Sequence, residues 1–129
     1  MDTIYMIVQL TLASAIPLLV VSLGGLITEK SGVTNIGLEG MMIFGGFAGV
    51  WFLSAIEGAN TSQLLFFVAM LIGGIAGGVL SLAHAYAAIK MKADQTISAT
   101  AINLFSPAFA VFVLMVVNNN KQQINFSTN

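Results

Sequence analysis

Four long apolar runs alternate with short polar segments along the chain, at residues 4–28, 36–56, 64–89 and 97–117. Three of these runs contain no charged side chain, and the second contains only Glu39. A helix of about 20 apolar residues is long enough to cross a hydrocarbon core roughly 30 Å thick. The pattern therefore predicts an all-α protein, a polytopic transmembrane bundle of four helices.

The second run fits this pattern least well, because the stretch after Glu39 that is free of charge covers only residues 40–56. Span two either starts near Ile36, with Glu39 inside the membrane boundary, or is short, partly buried or re-entrant. Two prolines interrupt other spans, Pro17 in the first and Pro107 in the fourth. We expect Pro17 to kink its helix, because proline removes a backbone hydrogen bond.

Polar residues at the ends of the runs predict helix caps. Asn35 is expected to be the N-cap of the second helix, with Glu39 in its first turn, where the helix dipole favours a negative charge. Asp94 is expected to cap the fourth helix, and Asn60 with Gln63 resembles a capping box before the third. Residues 118–129 are polar and low in complexity, which is typical of a tail or the start of an extracellular loop.

Small residues recur at every fourth position in the second and third spans. In a membrane such spacing lets helix backbones approach closely and pack. We therefore predict helix-packing positions at Gly45 and Gly49 of span two, and on span three at Ala69, Gly73, Gly77, Ser81 and Ala85.

Composition and charge place the chain in a lipid bilayer. Its 129 residues are 57% hydrophobic and 7% charged, whereas soluble domains carry about 25% charged residues. The net charge of −1 offers no basic surface for nucleic acid. With one histidine and no cysteine, the sequence holds no nucleophile–base pair and no metal-ligand cluster. We therefore expect neither an enzyme nor a metal site or cofactor.

Lysines predict the orientation. Loop one carries Lys30 and loop three carries Lys90 and Lys92, whereas the opposite side has only Lys121. The positive-inside rule then places loops 29–35 and 90–96 in the cytoplasm and both ends of the chain outside.

Polar side chains within the spans are functional candidates, because they are costly in a membrane. Glu39 could line a solute path, pair with a lysine, or compensate the dipole at a helix start. Asn103 shares one face of span four with Gln95, Ala99 and Ser106, a face that could line a pore or bond to another helix. Together with Asn35, the residues Glu39, Gln95 and Asn103 are our candidates for the solute path. His84 is expected to be hydrogen-bonded near the cytoplasmic end of span three.

Two segments resemble the permease subunits of bacterial ABC importers, most closely the nucleoside branch related to ribose and branched-chain amino-acid permeases. The first comprises PLL at 17–19, LGGL at 23–26 and EKSGVTNIGLEGMM at 29–42. The second is ADQTISATAINL at 93–104. The resemblance extends over nearly the whole chain up to about residue 117.

The resemblance implies a passive channel for nucleosides or a related sugar-bearing solute. Its implied partners are a second permease subunit, ATP-hydrolysing subunits and an extracellular solute-binding lipoprotein. Members of the family continue through several more spans, so we expect this chain to be the N-terminal portion of a subunit and not to transport alone. Two alternatives are a self-sufficient four-helix exporter built around an intramembrane glutamate and a holin-like or structural membrane protein.

Overall fold

A computed structural model of the chain describes residues 2–56 and 63–117. These residues form four helices, α1 (Asp2–Lys30), α2 (Leu38–Ala55), α3 (Gln63–Ile89) and α4 (Gln95–Val117). All four are long and apolar enough to cross a membrane. The predicted fold class, an all-helical membrane bundle, is therefore confirmed. The expected capping box at Asn60 and the polar tail at 118–129 lie outside the described residues.

Helix α2 is the centre of the bundle, because it is the helix that packs against all of the others. Its most extensive contact is with α3 and its next with α4, while α1 touches α2 alone among the described helices. The first and fourth helices are continuous through Pro17 and Pro107. At about 1.5 Å per residue, the 18 residues of α2 extend about 27 Å.

The start of α4 follows from its cap. The Asp94 carboxylate accepts hydrogen bonds from the backbone N–H of Thr96 at 2.8 Å and of Ile97 at 3.0 Å. These are two of the amides that the first turn of a helix leaves without partners. The expected cap at Asp94 is thus present, and α4 begins at the next residue.

Candidate functional site

Residues 31–42, which we call the turn segment, reverse the chain between α1 and α2. Helix α1 ends where Gly32 adopts a left-handed backbone with φ of +84°. The N–H of Gly32 bonds to the Glu29 carbonyl at 3.0 Å, and the N–H of Val33 bonds to the Thr28 carbonyl at 3.3 Å. This is the Schellman arrangement, in which glycine is favoured because it has no Cβ.

Asn35 lies inside the turn segment, and its predicted role as the N-cap of α2 is wrong. The cap position is Gly37, which makes no side-chain capping bond. Asn35 stands two residues earlier, and its Oδ1 accepts the Gly37 N–H at 3.0 Å. The side chain is 7% exposed, and its amide contacts the Met41 sulfur at 3.5 Å. Asn35 therefore closes a local turn that directs the chain into α2.

Two side chains of α4 bond to the backbone of the turn segment. Gln95 accepts the Thr34 N–H at 2.8 Å through Oε1. Asn103 accepts the Gly40 N–H at 2.8 Å and donates to the Ile36 carbonyl at 3.0 Å. The Gly40 amide belongs to the first turn of α2, where backbone donors lack helical partners. The polar face of α4 thus bonds to another segment of the chain.

Glycines allow this close docking. A Cβ on Gly40 would lie 2.6 Å from the Ile102 carbonyl oxygen and 2.9 Å from the Asn103 Cα. A Cβ on Gly37 would lie 3.2 Å from the Cα of Ala99, which is fully buried. The turn segment therefore rests directly on the α4 backbone, and it brings the family-like sequences at 31–42 and 93–104 into contact.

Glu39 lies in the first turn of α2, as predicted from its position near the start of the second apolar run. Its side chain is exposed, although its neighbour Gly40 is buried against α4. The positive end of the α2 dipole favours a carboxylate at this place. Glu39 is thus a solvent- or lipid-facing acid at the end of the bundle that carries the turn segment.

Most of the charge lies at that same end. Of the seven charged residues in the described ranges, all but Asp2 are in or beside the turn segment and the α3–α4 connection, namely Glu29, Lys30, Glu39, Lys90, Lys92 and Asp94. All six of these side chains are exposed. The bond between Thr34 and Gln95 brings the two loops together. One end of the bundle is therefore strongly polar.

His84 and Ser98 join α3 to α4 near this polar end. The Nδ1 of His84 and the Ser98 hydroxyl are 3.0 Å apart, and His84 is 2% exposed. Histidine is thus hydrogen-bonded as expected, although its partner was not foreseen. Among the described residues, the His84 Nε2 and the Ser106 hydroxyl are buried without a hydrogen-bond partner.

The predicted packing glycines lie where α2 crosses α3. A Cβ on Gly45 would be 2.6 Å from the Gly73 carbonyl oxygen, and a Cβ on Gly49 would be 2.9 Å from that of Ala69. Gly77 faces the Met41 carbonyl oxygen, which its Cβ would meet at 3.1 Å. Ser81, farther along α3, is half-buried.

An aromatic cluster, which the sequence analysis did not identify, joins α2 to α4 beyond the polar contacts. Phe109 of α4 contacts Phe44, Phe47 and Phe105, with ring centroids 5.4 to 6.4 Å apart. Trp51 extends the cluster by an edge contact with Phe47 at 5.3 Å. The spacing of Phe44, Phe47 and Trp51 along one helical face is the signal that could have predicted it.

Comparison with known proteins connects this architecture to transport. Residues 7–129 match the family described as the branched-chain amino acid transport system permease component. The chain is 40% identical over 116 residues to a guanosine ABC transporter permease of Bacillus subtilis, a match that covers 90% of the chain and 36% of that protein. It is 35% identical over 127 residues to a nucleoside ABC transporter permease of Lactococcus lactis, covering 94% and 40%.

A more distant relative is a putative glucose ABC transporter permease of Haloferax volcanii. It is 32% identical over 102 residues, covering 79% of the chain and 29% of that protein. The chain thus spans well under half the length of the curated relatives it matches. No solved structure matches it.

Proposed function

This chain belongs to the family of permease components of the branched-chain amino acid transport system, and on that premise we propose a role in nucleoside import. It forms the N-terminal part of the membrane-spanning permease of an ATP-driven importer for nucleosides or a related sugar-bearing solute. The observation that carries this proposal is the 40% identity to a guanosine permease across nine tenths of the chain. The importer-like segments at 17–42 and 93–104 lie within the family match.

The proposed importer needs other subunits. A second permease subunit completes the channel, ATP-binding subunits hydrolyse ATP, and an extracellular lipoprotein delivers the solute. The permease itself then performs no bond chemistry. Among the described residues there is no group of three or more His, Cys, Asp or Glu side chains placed to hold a metal.

Within the proposed permease, the polar candidates divide into two groups. Asn35, Gln95 and Asn103 direct their side chains to backbone groups of the turn segment. We assign them the role of holding the turn segment on α4. Glu39 is exposed beside this unit, and it is the candidate that could reach a passing solute. An exporter built around an intramembrane glutamate needs its acid deep in a span, whereas Glu39 lies in the first turn of α2.

The proposed orientation places the polar end in the cytoplasm. Loops 29–35 and 90–96 carry three of the four lysines, and the Thr34–Gln95 bond supports their lying on the same side. Because the chain has no cysteine, single-cysteine variants can test this. An impermeant thiol reagent added to intact cells should label Asn120→Cys and spare Lys92→Cys until the membrane is opened. Labelling of Lys92→Cys from outside would reverse the orientation.

The solute class is tested by uptake in a chimera. This chain replaces the matching part of the Bacillus subtilis guanosine permease, in cells that lack that permease and retain its partner subunits. We expect uptake of radiolabelled guanosine that unlabelled nucleosides inhibit and branched-chain amino acids do not. A chimera that reaches the membrane in normal amounts and imports only amino acids would contradict the proposal.

The same chimera tests Glu39. If the carboxylate contacts the solute on its path, Glu39→Gln lowers uptake by about tenfold, the effect of losing a charged hydrogen bond worth about 1.4 kcal/mol. Glu29→Gln, at an exposed acid in the last turn of α1, is the matched control and should leave uptake unchanged. Normal uptake by the Glu39→Gln chimera would mean that Glu39 does not contact the solute and acts only on the helix dipole at the start of α2.

A further inference from the structure

Four tandem glycine pairs in α1, α2 and α3 each divide into one glycine that is in contact and one that is open. A Cβ on Gly25, Gly45, Gly73 or Gly77 would meet an atom of another helix within 3.1 Å. The other member of each pair, which we call an open glycine, would meet nothing within 4 Å; these are Gly24, Gly46, Gly74 and Gly78. The α1–α2 and α2–α3 contacts therefore give a packing reason for only one glycine of each pair.

Three of the open glycines, Gly24, Gly46 and Gly74, line one apolar groove of about 650 Å³. Its floor is α2 and its sides are α1 and α3, which do not pack against each other in the described helices. Val20 of α1, Val50 of α2 and Met70 of α3 also line it. Gly78 lies outside the lining.

Resting on the proposed function, we propose that this groove is the seat of a further transmembrane helix, supplied by the part of the permease subunit that follows the region spanned here. The relatives supply the argument for this occupant, since the matched region is only 36% of one nucleoside permease and 40% of another. More than half of each of these relatives lies outside the matched region, which is enough chain to supply further spans.

The glycines favour a helix over lipid chains as the occupant. Glycine weakens a helix relative to alanine, so an open glycine gives α2 or α3 no benefit on its own. In a membrane, glycine gains its value when another backbone comes close enough for dispersion contact and weak hydrogen bonds. The occupant is thus an apolar helix that presents small side chains to Gly46 and Gly74.

The test is co-purification from membranes. The tagged chain is co-expressed with the remaining part of the Bacillus subtilis guanosine permease, the part that follows the region matching this chain. Gly46→Leu and Gly74→Leu fill the groove, whereas Gly78→Leu fills an open glycine outside it. Because a Cβ at any of these three positions would meet no other part of the described chain within 4 Å, all three variants should accumulate in the membrane like the natural chain.

We expect the natural chain and Gly78→Leu to recover the remaining part equally well. Gly46→Leu and Gly74→Leu should lose about tenfold in recovery, as overpacking of a close contact does. Equal recovery by all variants, or no recovery by the natural chain, would overturn the inference. So would a Gly74→Cys variant that cross-links only to a second copy of itself. Co-purification needs no transport, so a chimera that assembles without importing guanosine counts against the proposed function alone.

Discussion

At the scale of single residues, Asn103 carries the contact on which the polar end depends. Its side-chain amide bonds to both the Gly40 N–H and the Ile36 carbonyl. An amide can accept and donate at once, which a hydroxyl or a carboxylate cannot do with the same planar geometry. One side chain therefore fixes both the last turn before α2 and the first turn within it.

Replacing Asn103 by leucine should destabilise the chain, because it leaves the Gly40 N–H and the Ile36 carbonyl without their partner. We expect a loss of about 1–2 kcal/mol in the free energy of unfolding, since hydrogen bonds between membrane helices are individually modest. This free energy is measured by titrating the protein in mixed micelles with SDS and monitoring unfolding by circular dichroism.

The matched control for Asn103→Leu is Thr100→Val on the same helix. Thr100 is exposed, and its hydroxyl donates to the Thr96 carbonyl of its own helix. Its replacement should change the free energy of unfolding by less than about 0.5 kcal/mol. Equal effects of the two substitutions would mean that the Asn103 bonds contribute nothing specific.

Residue types and their positions predicted some of these roles and missed others. Asp94 was recognised as a cap because it stands directly before an apolar run. Asn35 was misplaced because the chain makes one more turn, closed by its own side chain, before α2 begins. The bond from Asn103 to Gly40 joins residues 63 positions apart. No local pattern specifies such a pair, so it could be found only once the helices were placed together.

At the scale of helices, the packing of α2 depends on which of its glycines lie against the backbone of another helix. Gly40 faces the α4 backbone and Gly45 faces the α3 backbone, whereas Gly46 faces open space. The fourfold spacing of small residues predicted close helix packing at these positions of α2 and α3, and the structure adds that the two helices pack on each other. Because Gly45, Gly73 and Gly77 stand in its register, it also indicated the contacting glycine of each tandem pair in α2 and α3. It did not indicate that Gly25 would be the contacting glycine in α1, because that depends on where α1 meets α2.

Alanine substitutions at two of these glycines should have opposite effects. Gly40→Ala would place a Cβ 2.6 Å from the Ile102 carbonyl oxygen and should cost about 1–3 kcal/mol, as overpacking does. Gly46→Ala meets no neighbour, and the better helix propensity of alanine should stabilise the chain by up to about 1 kcal/mol. Thermal unfolding of the purified variants in detergent compares them. Destabilisation of the same size at both positions would contradict the close docking of α2 on α4.

At the scale of the whole molecule, the described chain is a membrane bundle built around α2, and the turn segment and the α3–α4 connection form a polar end. The length and polarity of the four runs predicted its fold class, because a bilayer leaves few alternatives to helices for an apolar chain. The family resemblance pointed to the two segments at 17–42 and 93–104 separately. The structure adds that the parts of them at the polar end dock on each other, with Gly37 and Gly40 against the α4 backbone.

The role proposed for Asn35, Gln95 and Asn103 and the shared side of the two loops both depend on this docking. Gly37 and Ala99 report on it most directly. A Cβ on Gly37 would lie 3.2 Å from the Ala99 Cα. With a Cα–Cβ bond of about 1.5 Å, the two Cα atoms are then at most about 4.7 Å apart, at the short end of the separation that a disulfide bridges. The natural absence of cysteine makes such a bond unambiguous.

The decisive measurement is oxidation of Gly37→Cys/Ala99→Cys in native membranes, in a chain with a protease site inserted between residues 57 and 62. We expect that after cleavage the two fragments stay joined on a non-reducing gel and separate when reduced. The control pair Gly46→Cys/Ala99→Cys, with its first cysteine at an open glycine, should give separate fragments throughout. Separate fragments from the Gly37/Ala99 pair under the same oxidation, or equal joining in both pairs, would contradict the docking of the turn segment on α4.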